Sequence, residues 1–128
     1  MNKLIYALPL LIFWVFLLIT PVQSLAEASQ QLTCKDVAGK VKNGAFLVDV
    51  RTKEEFTSGS LSGSINVPYD QIELNLNQFP SNKKREIILY CKSGRRSELG
   101  KQTLAKLGYI NVVNAGSYDE LLRCWSNK

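Results

Sequence analysis

The 128-residue chain contains no histidine. That absence removes a Cys-His protease dyad, a Ser-His-Asp triad and every histidine-containing zinc site at once. Cysteine chemistry here must rest on a thiolate held by backbone amides and cations, with no imidazole base beside it. Cysteine itself is scarce: Cys34, Cys91 and Cys124 are the three, and no Cys-x-x-Cys pair is present, which argues against a thiol-disulfide oxidoreductase. No internal repeat, low-complexity tract or second domain is visible. A strongly basic face is missing too. The net charge is +5 and its positive residues are dispersed, apart from Lys83-Lys84-Arg85 and the segment after Cys91. Lys83-Lys84-Arg85 follows Pro80-Ser81-Asn82 and reads as a solvated turn, so no nucleic-acid partner is expected.

The one long apolar run, Leu4 to Ile19, lies at the N-terminus behind Asn2-Lys3 and ahead of Pro21. Ser24-Leu25-Ala26 supplies small residues at the −3 and −1 positions of a cleavage site, so residues 1–26 read as a secretory signal peptide. An uncleaved anchor is the other reading, because the run approaches the length that spans a bilayer. Cleavage leaves 102 residues, enough for one core, and the loss of Lys3 takes the net charge from +5 to +4. Residues 27–34 form a polar lead-in and residues 35–128 the domain. Export implies an oxidising compartment, where three cysteines invite one pair and one free thiol. Cys34 and Cys124, near the two ends of the domain, are the pair to consider. The default reading is two inert buried thiols, since a bridge needs Cα atoms within about 7 Å.

Strands and helices alternate along the domain. Thr33 is placed to cap a helix over Cys34–Val41, with Val37 and Val41 on one face and Asn43-Gly44 at its end. Ala45–Val50 and Glu86–Tyr90 are apolar, β-branched runs that suit strands buried on both faces. A helical turn is expected at Lys53–Phe56, and Gly59 and Gly63 punctuate a loop. Ile65–Pro68 forms a brief strand, and a helix over Asp70–Phe79 carries Ile72, Leu76 and Phe79 on one stripe. A further helix over Arg95–Leu107 has Leu99, Leu104 and Leu107 facing inward, with Gly108 as its C′ residue. Ile110–Val113 is a short strand, Ala115-Gly116 a turn and Tyr118–Trp125 a last helix. The pattern implies an α/β domain with a central, mainly parallel sheet covered by helices on both faces. In such folds ligands sit at the carboxyl ends of the strands, where Cys91 and Asp49 lie.

Cys91 stands between a buried strand and a helix, followed by Lys92-Ser93-Gly94-Arg95-Arg96-Ser97. Successive backbone N–H groups and the helix dipole converge at such a place and stabilise a thiolate and any anion beside it. Gly94 permits the tight curl, and Lys92, Arg95 and Arg96 add positive charge. The plainer reading of Cys91 is a buried structural cysteine.

Two ordered blocks of the sequence resemble the rhodanese (thiosulfate sulfurtransferase) family in its single-domain form. The first is Leu47-Val48-Asp49-Val50-Arg51, Glu54-Glu55-Phe56 and Gly59 to Pro68, similar to D-x-R…E-[FY]…G-H-I-x-G-A-x-N-x-P. The second is Ile88 to Ser97, similar to the C-x-x-G-x-R-S active loop, and Leu107-Gly108-Tyr109 and Asn114-Ala115-Gly116 continue the likeness. Ser60 stands where histidine is usual, Ser64 where alanine is, and Ser117 where a second glycine is common. None of these departures falls in the loop.

The resemblance implies a rhodanese-like three-layer fold without cofactor or metal, and a sulfur transfer through Cys91. The Cys91 thiolate would attack the outer sulfur of thiosulfate, expel sulfite and become a persulfide, which a small thiol, cyanide or a protein acceptor discharges. The amides of Lys92 through Ser97 would cradle that persulfide. Lys92 goes with thiosulfate in this family, where a small residue goes with mercaptopyruvate. Of Arg95 and Arg96, one is expected to be plain surface charge. Ser97 is either a hydroxyl contact to the sulfur or an ordinary first-turn residue. Asp49 and Arg51 are expected to organise the rim and bury an ion pair, with Arg51 and Glu55 the natural partners, and Trp125 belongs to the core. A cysteine-dependent phosphatase or arsenate reductase is the first alternative, but its arginine falls six residues after the cysteine, where this chain has Ser97. A non-catalytic persulfide carrier is the second. The signal segment and the family together place the domain in a bacterial periplasm. Membrane association is expected only if that segment stays uncleaved.

Overall fold

Every residue of Ile87–Cys91 is buried, as a central parallel strand must be with helices on both faces. The computed structural model describes residues 31–125. The expected signal segment, residues 1–26, and the first part of the expected lead-in lie outside the described residues. Strands β1 (Phe46–Asp49), β2 (Ile65–Asn66), β3 (Ile87–Cys91) and β4 (Val112–Ser117) form a four-stranded, all-parallel sheet in the order β2-β1-β3-β4. Helices α1 (Cys34–Lys42) and α4 (Tyr118–Trp125) cover one face through Val37, Leu121 and Trp125, packed on Leu47, Ile88 and Tyr90. Helix α3 (Arg95–Lys106) and two 3-10 segments cover the other, through Leu104, Ile72 and Phe79 on Val48, Ile87, Leu89 and Cys91. A short helix α2 (Lys53–Ser58) follows β1. The result is the three-layer α/β architecture expected.

The period-2 alternation of β3 decides where its functional end points. Ile88 and Tyr90 belong to the α1/α4 side, whereas Ile87, Leu89 and therefore Cys91 belong to the side of α3. Capping matches the sequence pattern: Thr33 and Asp36 form a capping box at the start of α1, Thr52 and Glu55 form one at the start of α2, and Gly108 (φ +92°) follows α3. Trp125 is core, its indole N–H donating to the Ser62 carbonyl at 3.2 Å.

Four expectations need correction. Asp70–Phe79 is not an α-helix but two 3-10 segments, Tyr69–Gln71 and Glu73–Gln78, with Asn75 at φ −124° and ψ 28°. Asparagine and glutamine side chains compete with the main chain there, Asn75 Nδ2 donating to the Gln71 carbonyl and Gln78 Nε2 to Asn75 Oδ1. Leu99 does not face inward and is 37% exposed, because α3 approaches the sheet at Gly100. A Cβ on Gly100 would lie 3.1 Å from Ile72 Cδ1 and 3.2 Å from Leu89 Cδ1, so the smallest residue takes the inner face and Leu99 rotates out. The last strand runs from Val112 to Ser117, leaving Ile110 74% exposed. Its Ala115-Gly116 is an irregularity inside the strand and not a turn, the pairing passing from Leu89↔Asn114 to Cys91↔Ser117. Finally, Cys34 and Cys124 are not free thiols: they form a disulfide between the start of α1 and the end of α4, with Cα atoms 5.8 Å apart.

That bridge closes a loop of 90 residues and should stabilise chiefly by restricting the unfolded chain. Replacing both cysteines by serine, or adding reductant, should lower the unfolding free energy by about 2–4 kcal/mol, read as a fall in the urea midpoint. Denatured without reductant, the chain should titrate one thiol; three would show the bridge to be absent.

Candidate active site

Gly94 is the pivot between β3 and α3. It adopts a left-handed conformation (φ +94°, ψ −14°) that lets three residues reverse the chain from the strand end into the helix. The curl returns the Gly94 N–H to the strand, where it donates to Cys91 Sγ at 2.9 Å. Cys91 is fully buried. Burial pushes its thiol pKa up, but the Ser97 hydroxyl and the Ser97, Ser93 and Gly94 amides outweigh it, so the thiol lies below its ordinary value. Ser97 is itself buried, and its Oγ has no aligned hydrogen-bond partner. That hydroxyl therefore stands close enough to the sulfur to stabilise its charge while remaining free to swing toward an atom attached to it. The first-turn N–H groups of α3 face the same place.

Of the loop's charges, Lys92 and Arg95 are exposed, and Arg96 is turned inward. Arg96 forms a two-point ion pair with Glu55 of α2, Nη1 to Oε1 at 2.7 Å and Nη2 to Oε2 at 3.0 Å. The Arg96 hydrogen bonds hold the Glu55 carboxyl down at about 2. The expected partnership of Arg51 with Glu55 is thereby corrected. Arg51 folds back on its own strand, its Nε donating to both carboxylate oxygens of Asp49 at 3.0 Å and its Nη2 to Oδ2 at 2.6 Å. Asp49 is wholly buried, and a buried carboxylate left without a cation would be far more costly than a remote pairing is favourable. Arg51 Nη2 also donates to the Gly59 carbonyl at 2.6 Å, and its guanidinium lies 4.2 Å from the Tyr118 ring centroid. The pair belongs to the α1/α4 side with Tyr90, so it braces the rim and does not touch the sulfur.

Loop residues line two clefts. One, of about 420 Å³, is bounded by Lys92, Arg51, Glu54, Glu55 and Tyr118; the other, of about 580 Å³, by Ser93, Gly94, Lys101 and Asn114. Glu55, Tyr118 and Asn114 are thus site residues to which sequence reading attached no role in holding the loop. Glu55 and Asn114 lie inside the matched blocks, which was the available signal, and for Tyr118 there was none.

The family model described as "Rhodanese-like domain" matches residues 24–124. Thiosulfate sulfurtransferase PspE of Escherichia coli is 30% identical over 74 residues, 58% of this chain and 71% of that protein. The putative sulfur carrier protein YrkF of Bacillus subtilis is 35% identical over 68 residues, 53% of this chain but only 36% of that protein. Among solved structures, the human single-domain sulfurtransferase TSTD1 superposes with a TM-score of 0.64 at 26% identity, over 73% of this chain and 95% of that chain.

The depressed Glu55 carboxyl makes its ion pair pH-dependent. With a folded pKa of about 2 against an ordinary 4.5, its contribution is present above 4.5 and is lost as pH falls through about 2. Glu55→Gln should lower stability at neutral pH by about 1–2 kcal/mol. It should also flatten the acid limb of stability against pH, followed by urea midpoints. Parallel acid limbs in the two proteins would show the pair to contribute nothing.

Proposed function

The chain belongs to the rhodanese family, and on that premise we propose that it is a sulfurtransferase carrying the outer sulfur of thiosulfate through Cys91 to a thiol or cyanide. The observation that carries the reading is a buried thiol held below its ordinary pKa by an amide curl and by a serine hydroxyl without an aligned partner. In the first step the Cys91 thiolate attacks the outer sulfur of thiosulfate. A new S–S bond forms, the bond inside thiosulfate breaks, and sulfite leaves with its electron pair. In the second, a thiolate or cyanide attacks the outer sulfur of the persulfide and regenerates the Cys91 thiolate. Atoms and charge balance without an external oxidant.

Each loop residue has a part in this reading. The Ser93, Gly94 and Ser97 amides stabilise the sulfur anion before and after transfer, and the Ser97 hydroxyl turns to the added sulfur. Lys92, exposed at the cleft mouth, attracts the dianion, and Arg95 adds to the field. Cys91 is fully buried in the resting loop, beneath the cleft residues Ser93 and Gly94. Arg96 is committed to Glu55, which supports a scaffolding part for it and weighs against a phosphate or arsenate substrate that would need an arginine clamp.

A persulfide carrier that discharges to one protein partner is the second reading, favoured by the likeness to the putative sulfur carrier of Bacillus subtilis. An exported, periplasmic domain, released or anchored by its N-terminal segment, remains our proposal for location. The Cys34–Cys124 disulfide supports it, since such bridges persist in oxidising compartments.

Thiosulfate added to the purified protein should release sulfite and leave one extra sulfur on Cys91, visible by intact mass and removable by cyanide. Cys91→Ser should fold with a melting temperature near that of the parent and lose transfer by at least about 10³-fold, as expected for loss of a covalent nucleophile. Turnover persisting in that variant would sink the assignment. Stoichiometric loading without turnover on small acceptors would favour the carrier.

A further inference from the structure

Glycine at position 94 makes the curl possible, but glycine cannot hold it. With no Cβ, its φ and ψ range widely, and the N–H that reaches the sulfur would wander with them. Something outside the loop must restrain it. The Gly94 carbonyl accepts two hydrogen bonds, one from the Glu98 N–H at 3.0 Å, which is the first turn of α3, and one from Asn114 Nδ2 at 2.9 Å. The second crosses from β4, 20 residues away in sequence.

The Asn114 carboxamide is fully used. Its Oδ1 accepts from the Gly116 N–H at 3.0 Å, which orients the group, and its Nδ2 then faces both the Gly94 carbonyl and Glu98 Oε2 at 3.2 Å. The strand irregularity between Asn114 and Ser117 brings Gly116 against the loop as well. A Cβ on Gly94 would meet the Gly116 Cα at 3.3 Å. Gly94 is thus seated on β4 by close backbone packing and by one donated hydrogen bond.

We propose that Asn114 is a positioning residue for the nucleophile: its carboxamide pins the Gly94 carbonyl and so keeps the Gly94 N–H on Cys91 Sγ. The inference rests on Cys91 being the nucleophile, but its content is the acidity of that thiol and not the identity of the donor. Charged or titratable groups about the loop are Asp49 and Arg51 from β1, Glu55 from α2, Tyr90 from β3, Lys92, then Arg95, Arg96 and Glu98 from α3 and Tyr118 from α4. Asn114→Ala removes none of these charges and changes the bonding of one, Glu98, whose Oε2 loses the Asn114 Nδ2 donor; Glu98→Gln, titrated alongside, separates that effect. Loss of one well-placed N–H at a thiolate raises the thiol pKa and lowers the thiolate fraction below the new midpoint.

The test is a pH titration of the Cys91 thiolate by its ultraviolet absorbance, without any sulfur donor, in the parent, Asn114→Ala and Asn114→Ser. Asn111→Ala serves as a control, because the Asn111 carboxamide bonds the Lys84 carbonyl at 3.3 Å and its loss loosens the same part of the sheet away from the loop. The expected result is an alkaline shift of the midpoint in both Asn114 variants and none in Asn111→Ala. The rate of persulfide formation should fall at pH values below the new midpoint and recover above it. Asn114 variants that fold and titrate like the parent would overturn the proposal, whatever their melting temperatures. A shifted titration together with a parent protein that takes no sulfur from thiosulfate would instead overturn the sulfurtransferase reading and leave the positioning role standing.

Discussion

A sulfur anion at the end of a buried strand has no water to solvate it, and its position depends on N–H groups aimed at it. Cys91 meets that requirement through the curl at Gly94, where the loop amides and the start of α3 converge on Sγ. Most of the surrounding structure serves to keep those donors in place. β3 is buried along its whole length, so packing surrounds the strand end. Gly100 lets α3 lie close against Leu89 and Ile72, which sets the height of the helix N-terminus over the sulfur.

Two of the carboxylates about the loop are paired with arginines. Asp49 is neutralised by Arg51, and Glu55 by Arg96, before either can compete at the loop. Both carboxylates thus hold cations that could otherwise collapse onto the sulfur, and each pairing ties a loop or strand end to its neighbour. The Arg51 guanidinium, held against Tyr118 and bonded to the Gly59 carbonyl, braces the start of α4 and the end of α2 together. The disulfide ties the far end of α4 to α1 on the same side of the sheet. The Cys91 side is held by close packing and hydrogen bonds instead.

What was legible in the chain is what depends on near neighbours. The apolar runs of β1 and β3 announce a buried parallel sheet, and Thr33 marks the start of α1. The order Cys91, Gly94, Ser97 places a thiol, a left-handed pivot and a hydroxyl along seven residues, so the candidate nucleophile and its loop need no tertiary knowledge to be found. The missing histidine settles, from composition, that no imidazole base assists it.

Only the tertiary structure decided which groups meet across longer separations. Arg96 finds Glu55 41 residues away, Asn114 reaches Gly94 over 20, and Cys34 meets Cys124 over 90. Arg51 was expected to pair with Glu55, but Asp49 is buried and takes that cation first. Leu99 looked like a core residue by its period and lost the place to Gly100, where α3 lies too close to Ile72 and Leu89 for a larger side chain. The chain thus determines its reactive loop locally, through backbone conformation and periodicity. The partners that hold the loop are chosen by packing, because burial decides which charges and amides cannot be left unpaired.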